Sequence, residues 1–261
     1  MLCKVLACEI MVREVCFLAA TSPLLLDLEF LPQGYHDNPQ HGCGKVQERL
    51  DAVPEGKYSA ILLGYGLCGN LIAGLQARHT RLIVPRAHDC ITFFLGSRER
   101  YNQQQQERPG AYYYTCGWLE CMARRGNQAL PQGTNLLPNR AGPQASAADT
   151  YNLWVEKYGK EAADYLVEAV NEWLSHYTHG ILIDYDFTRV LNLRAQVQEI
   201  CRRRGWVFEE LAGDLTLLRR WLHGDWPETD FLEVLPGARI EPSYDASVIR
   251  AVAPLPTSAK S

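Results

Sequence analysis

The stretch YSAILLGYGLCGN, Tyr58 to Asn70, decides the fold. Its apolar run has the length and composition of a buried strand, and it runs directly into Gly64, Gly66 and Gly69. The next segment, RLIVPRAHDC from Arg81 to Cys90, repeats the plan: a strand ending near Pro85, then a helix from about Ile91 to Gln106. Upstream, CKVLAC (Cys3 to Cys8) is a short apolar strand, and EIMVREVCFLAA after it has helical spacing. PLLLDLEFLP supplies a second strand ending at Pro32. GYHDNPQHGCGK reads as loop from its Gly, Asn, Asp and Pro, and KVQERLDAV as a short amphipathic helix. Strands alternating with helices imply an α/β fold: a mostly parallel sheet with helices on both faces.

AYYYTCGW is a further strand candidate. From Arg124 to Thr150 the chain turns polar and rich in Gly, Pro, Asn, Gln and Ala, which marks a linker or long loop. Beyond it, YNLWVEKYGKEAADYLVEAVNEWLSHY is helical, HGILIDYDF a strand, NLRAQVQEICRRRG a helix with a Gly stop, and WVFEEL a strand. DLTLLRRWLHGDW reads as a helix capped by Asp214. The tail from Pro254 to Ser261 is expected to fray. Two Rossmann-like lobes follow, residues 1–123 and 151–261, joined by 124–150.

Hydrophobic residues make up 47% of the 261 residues, enough for a core. A net charge of −4 gives no electrostatic reason to expect nucleic acid or an anionic membrane. No apolar run reaches the roughly 18–20 residues of a spanning helix, and Glu9, Arg13 and Glu14 interrupt any leader-like core. The expected location is the cytoplasm. Nine cysteines, an odd number spread over a long chain, argue against a disulfide framework. Cys3, Cys16 and Cys201 fit apolar or helical patterns as small buried hydrophobes.

Cys8, Cys68 and Cys90 differ, because each follows a predicted strand. In open α/β sheets ligands gather beyond the carboxyl ends of the strands, so these three thiols can converge although distant in sequence. Thiolates suit iron–sulfur clusters and zinc, with the cluster slightly favoured because the cysteines are single and dispersed. Three would leave one position for substrate, solvent, or a fourth ligand such as His88 or Glu9. The glycines at 64, 66 and 69 allow backbone amides to approach a ligand, or serve only the tight strand-to-helix turn; Asn70 would cap the next helix. His88 is a ligand or proton carrier, or a helix-start histidine bonded to a carbonyl. Arg98 and Arg100 are candidates to grip the acidic group of a small anionic substrate. His36, Asp37, Asp184 and Asp186 are weaker candidates for lining a cleft.

No CxxC knuckle, Walker A loop, GxSxG elbow or HExxH is present. Cys43 falls in the predicted loop, and Cys116 and Cys121 lack knuckle spacing. Besides a metal–thiolate enzyme or accessory, two readings stay open: a binding protein without chemistry, for a small anionic ligand or a protein partner, and a metal-free nucleophile, Cys90 with His88.

LACEIMVRE, ILLGYGLCGN and VPRAHDCITFFLGSRERY together resemble the family called domain of unknown function 1638, from Cys3 to about Pro236. The resemblance implies a setting near corrinoid-dependent methyltransferase components, hence one-carbon metabolism. In placement alone, one cysteine from each of several strand-end loops is similar to the cluster plan of quinolinate synthase. HDC with a distant cysteine is similar to the His-x-Cys pair of zinc-dependent methylcobamide:thiol methyltransferases, without their barrel.

Overall fold

The computed structural model describes residues 1–125 and 147–253. The chain forms two compact units: Met1–Arg98 together with the chain from Leu215 onward, and Glu99–Asp214. The α/β class is as the sequence implies, but the units do not follow the lobes expected at 1–123 and 151–261. The first unit is discontinuous, because the chain leaves it at Arg98 and returns at Leu215. The predicted linker at 124–150 lies largely outside the described residues, as does the tail from 254.

In the first unit, strands β1 (Leu2–Cys8), β2 (Leu25–Leu31), β3 (Ala60–Gly64) and β4 (Leu82–Pro85) are parallel. Strand β8 (Phe231–Val234) pairs antiparallel with β4, giving the order β2-β1-β3-β4-β8. Every residue of β3 is buried, and so are Cys3, Val5, Leu6 and Ala7 of β1. This continuous burial is why these strands read as unbroken apolar runs rather than as alternation. Leu6, Ile61, Leu63 and Val84 form one cluster with Val46 and Leu50 of helix α2 (Pro39–Asp51). Helix α1 (Val12–Ala19) packs with α9 (Thr216–His223), whose buried Trp221 donates its indole N–H to the Ile83 carbonyl at 3.3 Å.

Several expectations are corrected. The loop expected at Gly34–Lys45 is mostly helical: a 3-10 turn over Gln33–Asp37, then α2 from Pro39. Proline suits the first helical position, and the Asn38 side chain accepts from the His41 amide at 3.2 Å. Gly42 is there for packing, since a Cβ would stand 2.4 Å from the Tyr35 carbonyl oxygen. The single helix expected from Ile91 is two, α3 (Cys90–Leu95) and α4 (Arg98–Glu107), broken where Gly96 adopts φ +81°. The N-cap of α9 is Leu215, not Asp214. Cys3 and Cys201 are buried as expected, but Cys16 is exposed on the outer side of α1 beside the half-exposed Phe17. Strand β8 and the hairpin of β9 (Arg239–Pro242) and β10 (Ile249–Val252) carry too few residues for periodicity to find.

In the second unit, β5 (Ala111–Tyr114), β6 (His179–Asp184) and β7 (Val207–Ala212) form a parallel sheet in the order β5-β6-β7. Helix α8 (Leu193–Arg204) packs on it through Val197 and Cys201, which share a cluster with Tyr114, Leu182 and with Leu119 of α5 (Cys116–Arg125). Helices α6 (Ala147–Tyr158) and α7 (Lys160–Ser175) pair around Trp154 and Ala163.

Candidate functional site

Cys8 is the last residue of β1, Cys68 follows β3 by a short loop, and Cys90 opens α3 just beyond β4. Because β1, β3 and β4 are adjacent and parallel, their carboxyl ends share one edge, about 4.8 Å apart per strand. Beyond β3 and β4 the two loops keep pairing: the Leu67 amide donates to Ala87 O at 2.9 Å and the Cys68 amide to His88 O at 2.8 Å. Gly66 is what permits this approach, since a Cβ there would lie 2.8 Å from the Asp89 Cα. Asp89 in turn caps α3, its carboxylate accepting from the Ile91 amide at 2.9 Å.

The backbone around the second thiol is strained. Cys68, Gly69 and Asn70 all have positive φ, at 43°, 65° and 74°. Glycine and asparagine visit this region readily, but cysteine does not, and such strain is retained where the surroundings over-determine it.

All three cysteines keep partial exposure, while the sulfurs of Cys68 and Cys90 are deeply surrounded by protein. Burial pushes the Cys68 thiol up to about 12, and the Asp89 charge adds to this; the amides of Cys90 and Gly66 face its sulfur and pull the other way. Burial also drives Cys90 well above the ordinary thiol range, with Cys68, Asp89 and Cys8 all adding to the shift. Cys90 therefore stands within electrostatic reach of both Cys68 and Cys8. Among the described residues, no three His, Cys, Asp or Glu side chains are placed as a group able to hold a metal ion.

Tyr65, between Gly64 and Gly66, is 3% exposed, and its hydroxyl has no hydrogen-bond partner. Leaving a buried hydroxyl unpaired costs about 1–3 kcal/mol. Burial raises its pKa well above that of an ordinary phenol, and Cys8, Tyr35, Cys68 and Glu9 reinforce the shift. The Glu9 carboxylate accepts from the Gln33 amide at 2.8 Å, tying the end of β1 to the segment after β2.

The family described as protein of unknown function (DUF1638) matches residues 30–222, most of the chain. The chain belongs to this family. The matched span of this DUF1638 protein takes in Cys68 and Cys90 and begins after Cys8. No curated protein and no solved structure matches the chain.

The structure disposes of the remaining sequence candidates unevenly. Gly64 packs against Ala7 and Trp221, where a Cβ would lie 2.6 Å from the indole ring. No helix follows Asn70, so its predicted capping role is corrected: residues 68–74 are turns, and its carbonyl accepts from the Ala73 amide at 3.0 Å. The His88 side chain is exposed, while its carbonyl holds Cys68. Arg98 donates to the carbonyls of Ala246 and Thr229. Arg100, in the second unit, donates to the Ala212 carbonyl at 2.6 Å. Both arginines are thus engaged with backbone oxygens. Asp184 accepts from the Thr188 hydroxyl and from the Tyr185 amide at 2.9 Å, a local strand-end turn. Asp186 pairs with Arg189 at 3.0 Å. The side chains of His36 and Asp37 lie outside the described residues. Cys43 lies on α2 rather than in a loop, its thiol donating to the Ala73 carbonyl at 3.4 Å. Cys116 and Cys121 are buried on α5.

Two residues escaped the sequence reading. Tyr65 had a signal, an aromatic set between two glycines at a strand end. Arg86 had none, because its buried partners, the carbonyls of Glu228, Ser247 and Ile249, are remote in sequence.

Proposed function

We propose that this DUF1638 protein is a metal–thiolate protein whose centre is held by Cys8, Cys68 and Cys90, with an iron–sulfur cluster slightly favoured over zinc. The observation that supports it is the arrival of three cysteines beyond the ends of three adjacent parallel strands, with Cys90 within electrostatic reach of the other two. Without a cation the Cys68 and Cys90 thiols are neutral at pH 7, because burial and the neighbouring acids oppose ionisation. A metal ion reverses that balance, since a coordinated thiol is deprotonated. The amides of Cys90 and Gly66 would then stabilise the Cys68 thiolate.

Three cysteines leave a coordination position for a small substrate. In this reading the centre acts on such a substrate or serves as an accessory in corrinoid-linked one-carbon and methyl transfer. Anaerobic purification with visible absorption and metal analysis tests it. The expected result is bound iron or zinc, lost on Cys68→Ser or Cys90→Ser; a colourless, metal-free protein that stays folded overturns it. The lack of a preformed metal-holding group among the described residues favours a second reading, a binding protein without chemistry. In that case both serine variants retain partner binding.

A further inference from the structure

We propose that Cys68 and Cys90 form a reversible dithiol–disulfide couple, closed by exchange with low-molecular-weight disulfides. The couple needs no metal ion, so it goes beyond the metal–thiolate reading and stands without it.

The geometry comes from the backbone. Strands β3 and β4 run parallel with Ile61 opposite Leu82 and Leu62 opposite Ile83. The same register sets Cys68 opposite Asp89, and the bond from the Cys68 amide to His88 O at 2.8 Å keeps it beyond the strands. Cys90 is one residue further on. With neighbouring strands about 4.8 Å apart and about 3.3 Å of rise per residue, the α-carbons of Cys68 and Cys90 stand about 6 Å apart. Disulfides most often span about 5.5–6 Å between α-carbons.

Direction matters as much as distance. Fully extended, residues 68 and 90 would point to opposite faces of the sheet. Cys68 at φ +43° is not extended, and Cys90 opens α3, so that alternation lapses. The Cys90 amide faces the Cys68 sulfur, which turns this side chain towards residue 90. Both residues are free thiols in this structure, and both keep partial exposure. Cys8 is a poorer partner for Cys90. Strand β1 lies two places from β4, so the two backbones stand about 10 Å apart, beyond the limit of about 7 Å for a bridge.

The chemistry closes in two exchanges. The Cys68 sulfur, as thiolate, attacks one sulfur of the small disulfide and forms a mixed disulfide. The small thiolate expelled takes up the proton that Cys68 gave away. The Cys90 sulfur then attacks Cys68 in the mixed disulfide and displaces the second small thiol, which takes the Cys90 proton. Two protein thiols are oxidised to one disulfide, and one small disulfide is reduced to two thiols.

The test equilibrates the folded, metal-free, full-length protein with mixtures of glutathione disulfide and glutathione. Acid quenching, alkylation and tryptic mapping follow. Cleavage after Lys57, Arg78, Arg86 and Arg98 puts Cys68 on Tyr58–Arg78 and Cys90 on Ala87–Arg98, while Cys8 falls on Val5–Arg13. The expected result is a direct link between the first two peptides. Cys68 and Cys90 lose alkylation together at one glutathione ratio, and excess reduced glutathione restores both. Three outcomes overturn the proposal: both cysteines stay alkylatable under conditions that modify the exposed Cys16; each carries its own glutathione; or either one is linked to Val5–Arg13. Zinc uptake by the reduced protein tests the metal–thiolate reading separately, so either idea can fail while the other stands.

Discussion

Gly66 shows how much one missing side chain controls. Its α-carbon faces the Asp89 backbone, and a methyl group there would lie 2.8–3.0 Å from three backbone atoms that have no rotamer through which to yield. Gly66→Ala is therefore expected to destabilise the protein by about 1–3 kcal/mol, the range of overpacking. Urea denaturation measures that loss. The same substitution separates the loop carrying Cys68 from the segment carrying Cys90, so metal content is expected to fall with stability. Gly44, where a Cβ meets nothing within 4 Å, is the control: Gly44→Ala leaves metal content unchanged.

At the scale of elements, Arg86 joins the end of β4 to the returning chain. Arg86 is 8% exposed, and its guanidinium donates to Glu228 O at 2.8 Å, to Ser247 O at 3.1 Å and to Ile249 O. Between the last two lies Val248, a β-branched residue at φ +65°. That strained turn needs holding, and the arginine fork holds it. Arg86→Met keeps most of the side-chain volume but leaves these carbonyls without their charged donor. The expected loss is about 2–4 kcal/mol, read as a lowered urea midpoint with the slope unchanged. The family resemblance and the strand pattern made β4 and the HDC segment legible, yet Arg86, in the same stretch, carries no local mark of its role. A lone arginine after a strand has no pattern of its own; its meaning comes from carbonyls contributed by residues 228–249.

For the molecule as a whole, the partly buried carboxyls at the outer edge of the first sheet contribute to the acid response. Lys4 on β1 bridges Asp27 at 3.1 Å and Glu29 at 3.0 Å on β2, and Arg49 adds a contact to Glu29 at 2.6 Å. The Tyr58 hydroxyl holds the Asp27 carboxyl below its usual range. Burial pushes Glu29 up, but the hydrogen bonds from Arg49 and Lys4 outweigh it and leave Glu29 lowered as well. Carboxyls depressed in the folded state contribute stability above their unfolded pKa values, near 4, and that stability is lost as pH falls through the folded values. Stability is thus expected to decline as pH drops from about 5 towards 2. Glu29→Gln is expected to make that decline shallower while costing about 1 kcal/mol at pH 7, as measured by denaturation across pH.

The sequence by itself determined the α/β class, because strands buried on both faces must be continuously apolar and the helices between them must carry a periodic face. It also determined which cysteines stand at strand ends, since β1, β3 and β4 are each marked by their own local run. Only the tertiary structure decided that those ends are neighbours, for strand order follows from packing and not from adjacency in the chain. It likewise decided that Tyr65 is buried without a partner, that Arg98 and Arg100 are bound to carbonyls, and that one unit is completed by residues after Leu215. Each of these depends on atoms far apart in the chain, and no local pattern records such distances.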